Sequence, residues 1–113
     1  MHALDLGDLD AIVGMLAEDA TWSMPPMPQR YTGLEAIAGF LTDGPLRYAW
    51  RHLPARANAQ PAVGCYMWDP ERRAYAAKVL DVLTLRGDRV AAVTAFVDGE
   101  IFARFGLPDE HPG

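Results

Sequence analysis

The chain has 113 residues, half of them hydrophobic and 22% charged, which suits one domain with one core and excludes a disordered or fibrous protein. Fifteen acids face ten bases, and the whole excess of −5 lies in Asp5, Asp8, Asp10, Glu18 and Asp19, ahead of the first base, Arg30. No basic face arises, so this chain by itself is not expected to bind nucleic acid. No apolar run reaches the ~20 residues of a membrane span. Nor does the N-terminus read as a signal peptide, so a cytoplasmic location is the default.

The first element reads as a helix. Asp8 can cap it, and Leu9, Ile12, Val13 and Leu16 follow at helical spacing. Gly7 breaks whatever precedes, so Met1–Leu6 reads as the stump of an earlier helix. Ala20–Met24 reads as a short strand stopped by Pro25, Pro26 and Pro28. Thr32 and Glu35 have the spacing of a capping box, ahead of an apolar stripe of Leu34, Ile37, Ala38 and Leu41. Asp43, Gly44 and Pro45 end that second helix.

Strands then take over. Trp50–Asn58 contains Pro54, which points to an edge strand or a bulge. Asn58–Pro61 reads as a turn and Ala62–Trp68 as a buried strand. Tyr75–Leu85 and Arg89–Val97 flank Gly87-Asp88 as a hairpin. Glu100–Phe105 reads as one helical turn before a Pro-rich tail. Two helices followed by antiparallel strands argue for an α+β domain, with the helices packed on one face of a curved sheet and a conical cavity between.

Asp81 is the most telling position. Alternation puts it on one strand face with Tyr75, Ala77, Val79, Leu83 and Leu85, opposite a wetter face with Lys78, Thr84 and Arg86. A carboxylate among apolar neighbours is costly to ionise, so its pKa should rise, and a neutral Asp can donate a hydrogen bond or act as a general acid. The competing reading is a buried Asp satisfied by an Arg, Tyr or Trp N–H. Trp22, Tyr31 and Tyr66 are candidate cavity walls, and Arg56 and Asn58 candidate orienting groups for a carbonyl or carboxylate. His52 is more readily a packed or surface residue than a catalyst. His2 and His111 read as solvated. Cys65 is the lone cysteine and reads as a small buried hydrophobe. No pair of His or Cys has ligand spacing, so no metal site is expected. The absence of a P-loop, nucleophile elbow or dinucleotide fingerprint leaves no cofactor implied.

The stretches Gly7–Val13, Leu16–Trp22, Tyr31–Gly33 with Glu35–Ile37, and Leu80–Leu83 resemble a SnoaL-like domain of the nuclear-transport-factor-2-like superfamily. That resemblance implies a cone-shaped curved sheet packed against helices. Thr21–Pro26, Arg56–Ala62, Leu80–Leu85 and Phe102–Pro108 are further similar to the C-terminal extension of extracytoplasmic-function sigma factors. It implies a bacterial regulatory domain, cut from regions upstream that alone would meet RNA polymerase and DNA. Nine Arg against one Lys, beside eighteen Ala, fit a GC-rich bacterial genome. In the superfamily's ketosteroid isomerases the oxyanion-holding Asp corresponds to Asp81 and the general base to Met24, while the oxyanion Tyr would fall before Met1. A thioether abstracts no proton, so that reaction is not expected.

Three readings stay open. The chain, residues 1–113, is a single SnoaL-like domain serving as a regulatory module that binds a small apolar or oxygenated ligand. Alternatively it is a cyclase, isomerase or hydrolase using Asp81 as acid/base. The third reading is a structural module, with a homodimer through the sheet.

Overall fold

The computed structural model describes Leu4, Asp5 and residues 7–112. The further helix expected over Met1–Leu6 therefore falls mostly outside the described residues, as does His2. Helix α1 (Leu9–Gly14) starts where its cap predicts: Asp8 is extended and its carboxylate accepts from Ala11 N at 3.1 Å. The helix ends early. Leu16 belongs to strand β1 (Leu16–Ser23), which begins four residues ahead of the expected Ala20. The Val90 N–H donates to Met15 O at 2.9 Å, drawing the chain onto a neighbouring strand before another helical turn can form.

A short strand β2 (Arg30–Thr32), unforeseen in the sequence, pairs antiparallel with β1 through Thr21 and Thr32. This pairing displaces the expected capping box. Gly33, not Thr32, caps helix α2 (Leu34–Asp43), and no side chain bonds the free N–H groups there. Gly33 has φ 89°, which a side chain would make costly, and its N–H donates to Ala20 O at 2.8 Å. The α2 stripe is as read, with Ile37 and Leu41 buried.

A 3₁₀ turn (Pro45–Arg47) leads into β3 (Trp50–Ala57), β4 (Gln60–Asp69), β5 (Ala74–Arg86) and β6 (Arg89–Phe96). The six strands form one sheet in the order β2-β1-β6-β5-β4-β3. Pro54 sits on β3, an edge strand, where its missing N–H costs least. The β3–β4 connection is a two-residue turn at Asn58 and Ala59, φ 53° and 68°, whose twist matches the flanking strands. Contrary to the all-antiparallel expectation, β1 runs parallel to β6. These strands are not joined by a hairpin, so nothing forces them to be antiparallel. The fold is α+β with a curved sheet.

The two helices cover one face of the sheet, where Ile12, Leu16, Ala20, Ile37, Leu41 and Val93 form a core cluster. The far face carries a second cluster of Ala57, Ala62, Tyr66, Leu80, Phe102 and Leu107. Its lid is the C-terminal segment, a 3₁₀ helix (Gly99–Phe105) and the residues after it. The β4–β5 register steps at Lys78, pairing Cys65 with Val79 but Tyr66 with Ala77. That bulge splits the apolar stripe read in the sequence. Tyr75 and Ala77 pack on the far face with Leu80 and Val82, while Val79 and Asp81 face the helices. The side read as wetter thus includes fully buried Leu80.

The Pro-rich tail is built into the fold. Tyr66 Oη donates to Pro108 O at 2.8 Å, Ala77 N to Asp109 O at 2.9 Å, and His111 N to Tyr75 O at 2.9 Å. His111 is half-buried with its ring edge-on to Tyr66, not solvated as its place in the sequence suggested. Gly64 makes the close approach feasible: a Cβ there would lie 2.7 Å from Leu107 Cδ1 and 3.1 Å from Phe102 Cε2.

Candidate functional site

Between the helices and the sheet the side chains leave a cavity of about 100 Å³. Its wall is mainly apolar. Trp22 and Met24 come from β1 and the loop after it, Phe40 and Leu41 from α2, and Leu46 from the 3₁₀ turn. Phe40 is fixed from both sides, stacked on Tyr31 at 4.4 Å between ring centroids and tilted against Trp22 at 6.0 Å. Trp50 is pinned by its indole N–H, which donates to Pro45 O at 2.7 Å.

Three ionisable side chains break this wall, and strand register sets all three. His52 pairs with Cys65, Cys65 with Val79, and Asp81 stands two residues along β5 from Val79. Period-two alternation therefore points them to the same face. The Cys65 thiol donates to Asp81 Oδ2 at 3.3 Å. The other oxygen, Oδ1, is shut off from solvent and has no hydrogen-bond partner among the described residues. Burial pushes the Asp81 carboxyl up to about 6, with the thiol hydrogen bond pulling weakly the other way. Burial, reinforced by the neighbouring Asp81 charge, pushes the Cys65 thiol well above its ordinary range, so it is a poor nucleophile.

His52 is buried, and its Nδ1 lies 2.7 Å from Asp5 Oδ1 in the N-terminal segment. Burial lowers its pKa; the Asp5 carboxylate works against that shift without cancelling it. Neutral His52 donates Nδ1–H to Asp5, leaving Nε2 with its lone pair. Chemically, the site offers a carboxyl able to hold or release a proton near neutral pH, and an oriented imidazole, in an apolar surround.

Of the residues singled out in the sequence, the cavity takes Trp22 and Asp81. Tyr31 lies one layer out, behind Phe40. Arg56 and Asn58 are exposed at the β3–β4 hairpin, where Arg56 Nη1 donates to Ala59 O at 3.5 Å. Tyr66 is on the opposite face, fully buried, edge-on to Phe102 at 5.2 Å, with its hydroxyl raised to about 12 by burial. Sequence reasoning passed over His52, Cys65 and Trp50 as cavity groups. The signal was present in their alternation, but it needs the register of three strands to be read. Among the described residues no three His, Cys, Asp or Glu side chains cluster as a metal site, and no helix is long and apolar enough to cross a membrane.

Known proteins resemble this chain in sequence or in fold. The extracytoplasmic-function RNA polymerase sigma factor SigG of Mycobacterium tuberculosis is 34% identical over 110 residues, covering 95% of this chain. The chain spans only 29% of the length of that relative. An NTF-2-like protein of unknown function from Burkholderia xenovorans superposes with a TM-score of 0.70 at 18% identity, over 99% of this chain and 80% of the other. A protein from Kribbella flavida, provisionally named a ketosteroid isomerase, gives 0.67 at 20% identity, over 86% and 70%. At such identities these two establish the nuclear-transport-factor-2-like fold alone. The family model of the SnoaL-like domain matches residues 1–93, most of the chain including Asp81 and most of the cavity wall, and the protein therefore belongs to the SnoaL-like domain family.

Proposed function

We propose that the chain is a regulatory domain of an extracytoplasmic-function sigma factor, whose cavity binds a small molecule and adjusts transcription. The observation that carries this reading is its likeness, along 95% of its length, to part of SigG. RNA polymerase and promoter DNA would be met by other regions of the complete protein, in the cytoplasm. The acidic balance of this chain is consistent with that division of labour. The cavity supports a binding role, since a buried carboxylate oxygen without a partner among the described residues gains from any ligand that satisfies it.

The enzymatic alternative rests on Asp81, whose carboxyl at about 6 suits a general acid. Against it, Met24 lines the cavity where the isomerase resemblance places the base. Transcription from a cognate promoter in vitro, using the complete protein and its Val79→Phe variant, tests the regulatory reading. Phe at Val79 fills the cavity. A changed transcript yield at equal folded protein supports the reading, and identical yields overturn it.

A further inference from the structure

The cavity wall carries charge of one sign. Asp81 stands on it, and none of the chain's ten Lys and Arg residues does. Among the described residues the ion pairs join His52 to Asp5, Arg72 to Asp109 and Glu110, and Arg86 to Asp19, and all of them leave Asp81 out. Its Oδ2 takes the Cys65 thiol and its Oδ1 has no partner there. The neighbouring titratable groups supply no cation. Burial keeps the Cys65 thiol protonated and neutral, and it lowers the His52 pKa, so the imidazole bonded to Asp5 is neutral as well.

A carboxylate in an apolar surround attracts a cation more than a neutral donor, and it repels an anion. Forming a buried ion pair ordinarily strips water from both partners. Folding has already taken Asp81 out of water, so an incoming cation loses only its own hydration. Trp22, Phe40 and Trp50 on the same wall add to the preference, since aromatic rings hold a desolvated cation better than a neutral group. An organic ammonium suits this wall better than a metal ion. A metal needs several ligands, and among the described residues no three His, Cys, Asp or Glu side chains cluster. An ammonium needs one carboxylate, and its carbon chain needs the apolar wall.

We infer that the cavity takes a cationic amine, whose ammonium group meets the Asp81 carboxylate and whose apolar body lies against Trp22, Phe40 and Trp50. The inference rests on the proposed binding role and gives the charge and head group of its ligand.

n-Butylammonium, 1-butanol and pentanoate carry a positive, a neutral and a negative head on the same butyl chain. Each is titrated into the wild-type chain at about pH 7.5, where Asp81 is ionised and the amine protonated. Binding is read from the amide NMR signals of Val79 and Ala95 on the wall. The ammonium should bind roughly ten-fold more tightly than the alcohol, and pentanoate should not bind. Asp81→Asn should erase the preference for the ammonium, whereas Asp10→Asn, on the exposed first turn of α1, should leave it intact. The order of the three probes on the wild-type chain decides the matter where Asp81→Asn fails to fold. Alcohol or pentanoate binding as tightly as the ammonium overturns the inference, and so does binding by none of them. Ammonium shifts confined to Asp8, Asp10 and Glu18 overturn it too, because they describe a surface contact only. The order holding while Val79→Phe leaves transcription by the complete protein unchanged keeps the ligand class and removes the regulatory role. A lost order with a transcriptional effect of Val79→Phe removes the ligand class and keeps that role.

Discussion

The two faces of the sheet solve the same packing problem differently. On the far face Tyr66, Leu80 and Phe102 are 0–1% exposed, and the tyrosine hydroxyl is satisfied by Pro108 O. Glycine at 64 lets Leu107 and Phe102 press directly on the strand. On the helix face the packing stops short: a cavity remains, and a carboxylate oxygen on its wall has no partner among the described residues. Proteins leave few such voids and few such groups, because each costs stability. The far face is thus organised for stability, and the helix face gives some of it up around Asp81.

Substitutions can break that contrast, beginning with the far face. Phe102→Ala should cost about 3–5 kcal/mol, because it removes a fully buried ring and loosens the C-terminal lid. Urea unfolding measures this, and a loss under 1 kcal/mol would mean the lid is dispensable.

Next comes Asp81. Its folded pKa is raised to about 6 from 3.8, so between those values the folded state holds the proton more tightly than the unfolded chain. Its contribution is therefore most favourable below pH 4 and is lost as pH rises through 6. Comparing wild type with Asp81→Asn by urea melts, the variant should gain on wild type by at most roughly 3 kcal/mol between pH 4 and pH 7.5. Parallel pH profiles would show that Asp81 is not held in a low-dielectric site.

Gly64→Ala sharpens the comparison from the other side. Its methyl group would press on Leu107 and Phe102, and a loss of about 1–3 kcal/mol is expected in the same melts. No loss would show that the lid shifts freely. Smallest of all is the surface pair of Arg86 with Asp19, whose side chains are 60% and 70% exposed. Asp19→Asn should leave the thermal midpoint unchanged within error, and a clear drop would give the rim of the sheet a structural weight its exposure does not suggest.

Much of the fold was legible from local signals. The cap at Asp8, the α2 stripe, the edge strand at Pro54 and the Gly87-Asp88 hairpin all rest on neighbours within a few residues, where sequence spacing and geometry coincide. The errors occurred where a distant strand intervened. Thr32 was recruited by Thr21 and ceased to be a cap, Met15 and Leu16 were drawn out of the helix towards β6, and one extra residue at Lys78 moved Tyr75 and Ala77 to the other face. The candidate site divides in the same way. Asp81 and Trp22 could be singled out from residue type and alternation. Tyr66 carried the same cues but faces the opposite side, because Tyr66 and Cys65 are adjacent in the chain and point oppositely.

The sequence by itself determined an α+β fold, the two helices with a strand between them and a run of strands after, and a carboxylate placed among apolar strand residues. Tertiary structure decided the rest: that His52 joins Asp5, that Cys65 faces Asp81, and that the tail covers the far face. The physical reason is range. Helix stripes, turns and strand alternation arise from residues a few positions apart, whereas the cavity depends on strand register and bulges, and a one-residue shift in either exchanges the two faces of the sheet.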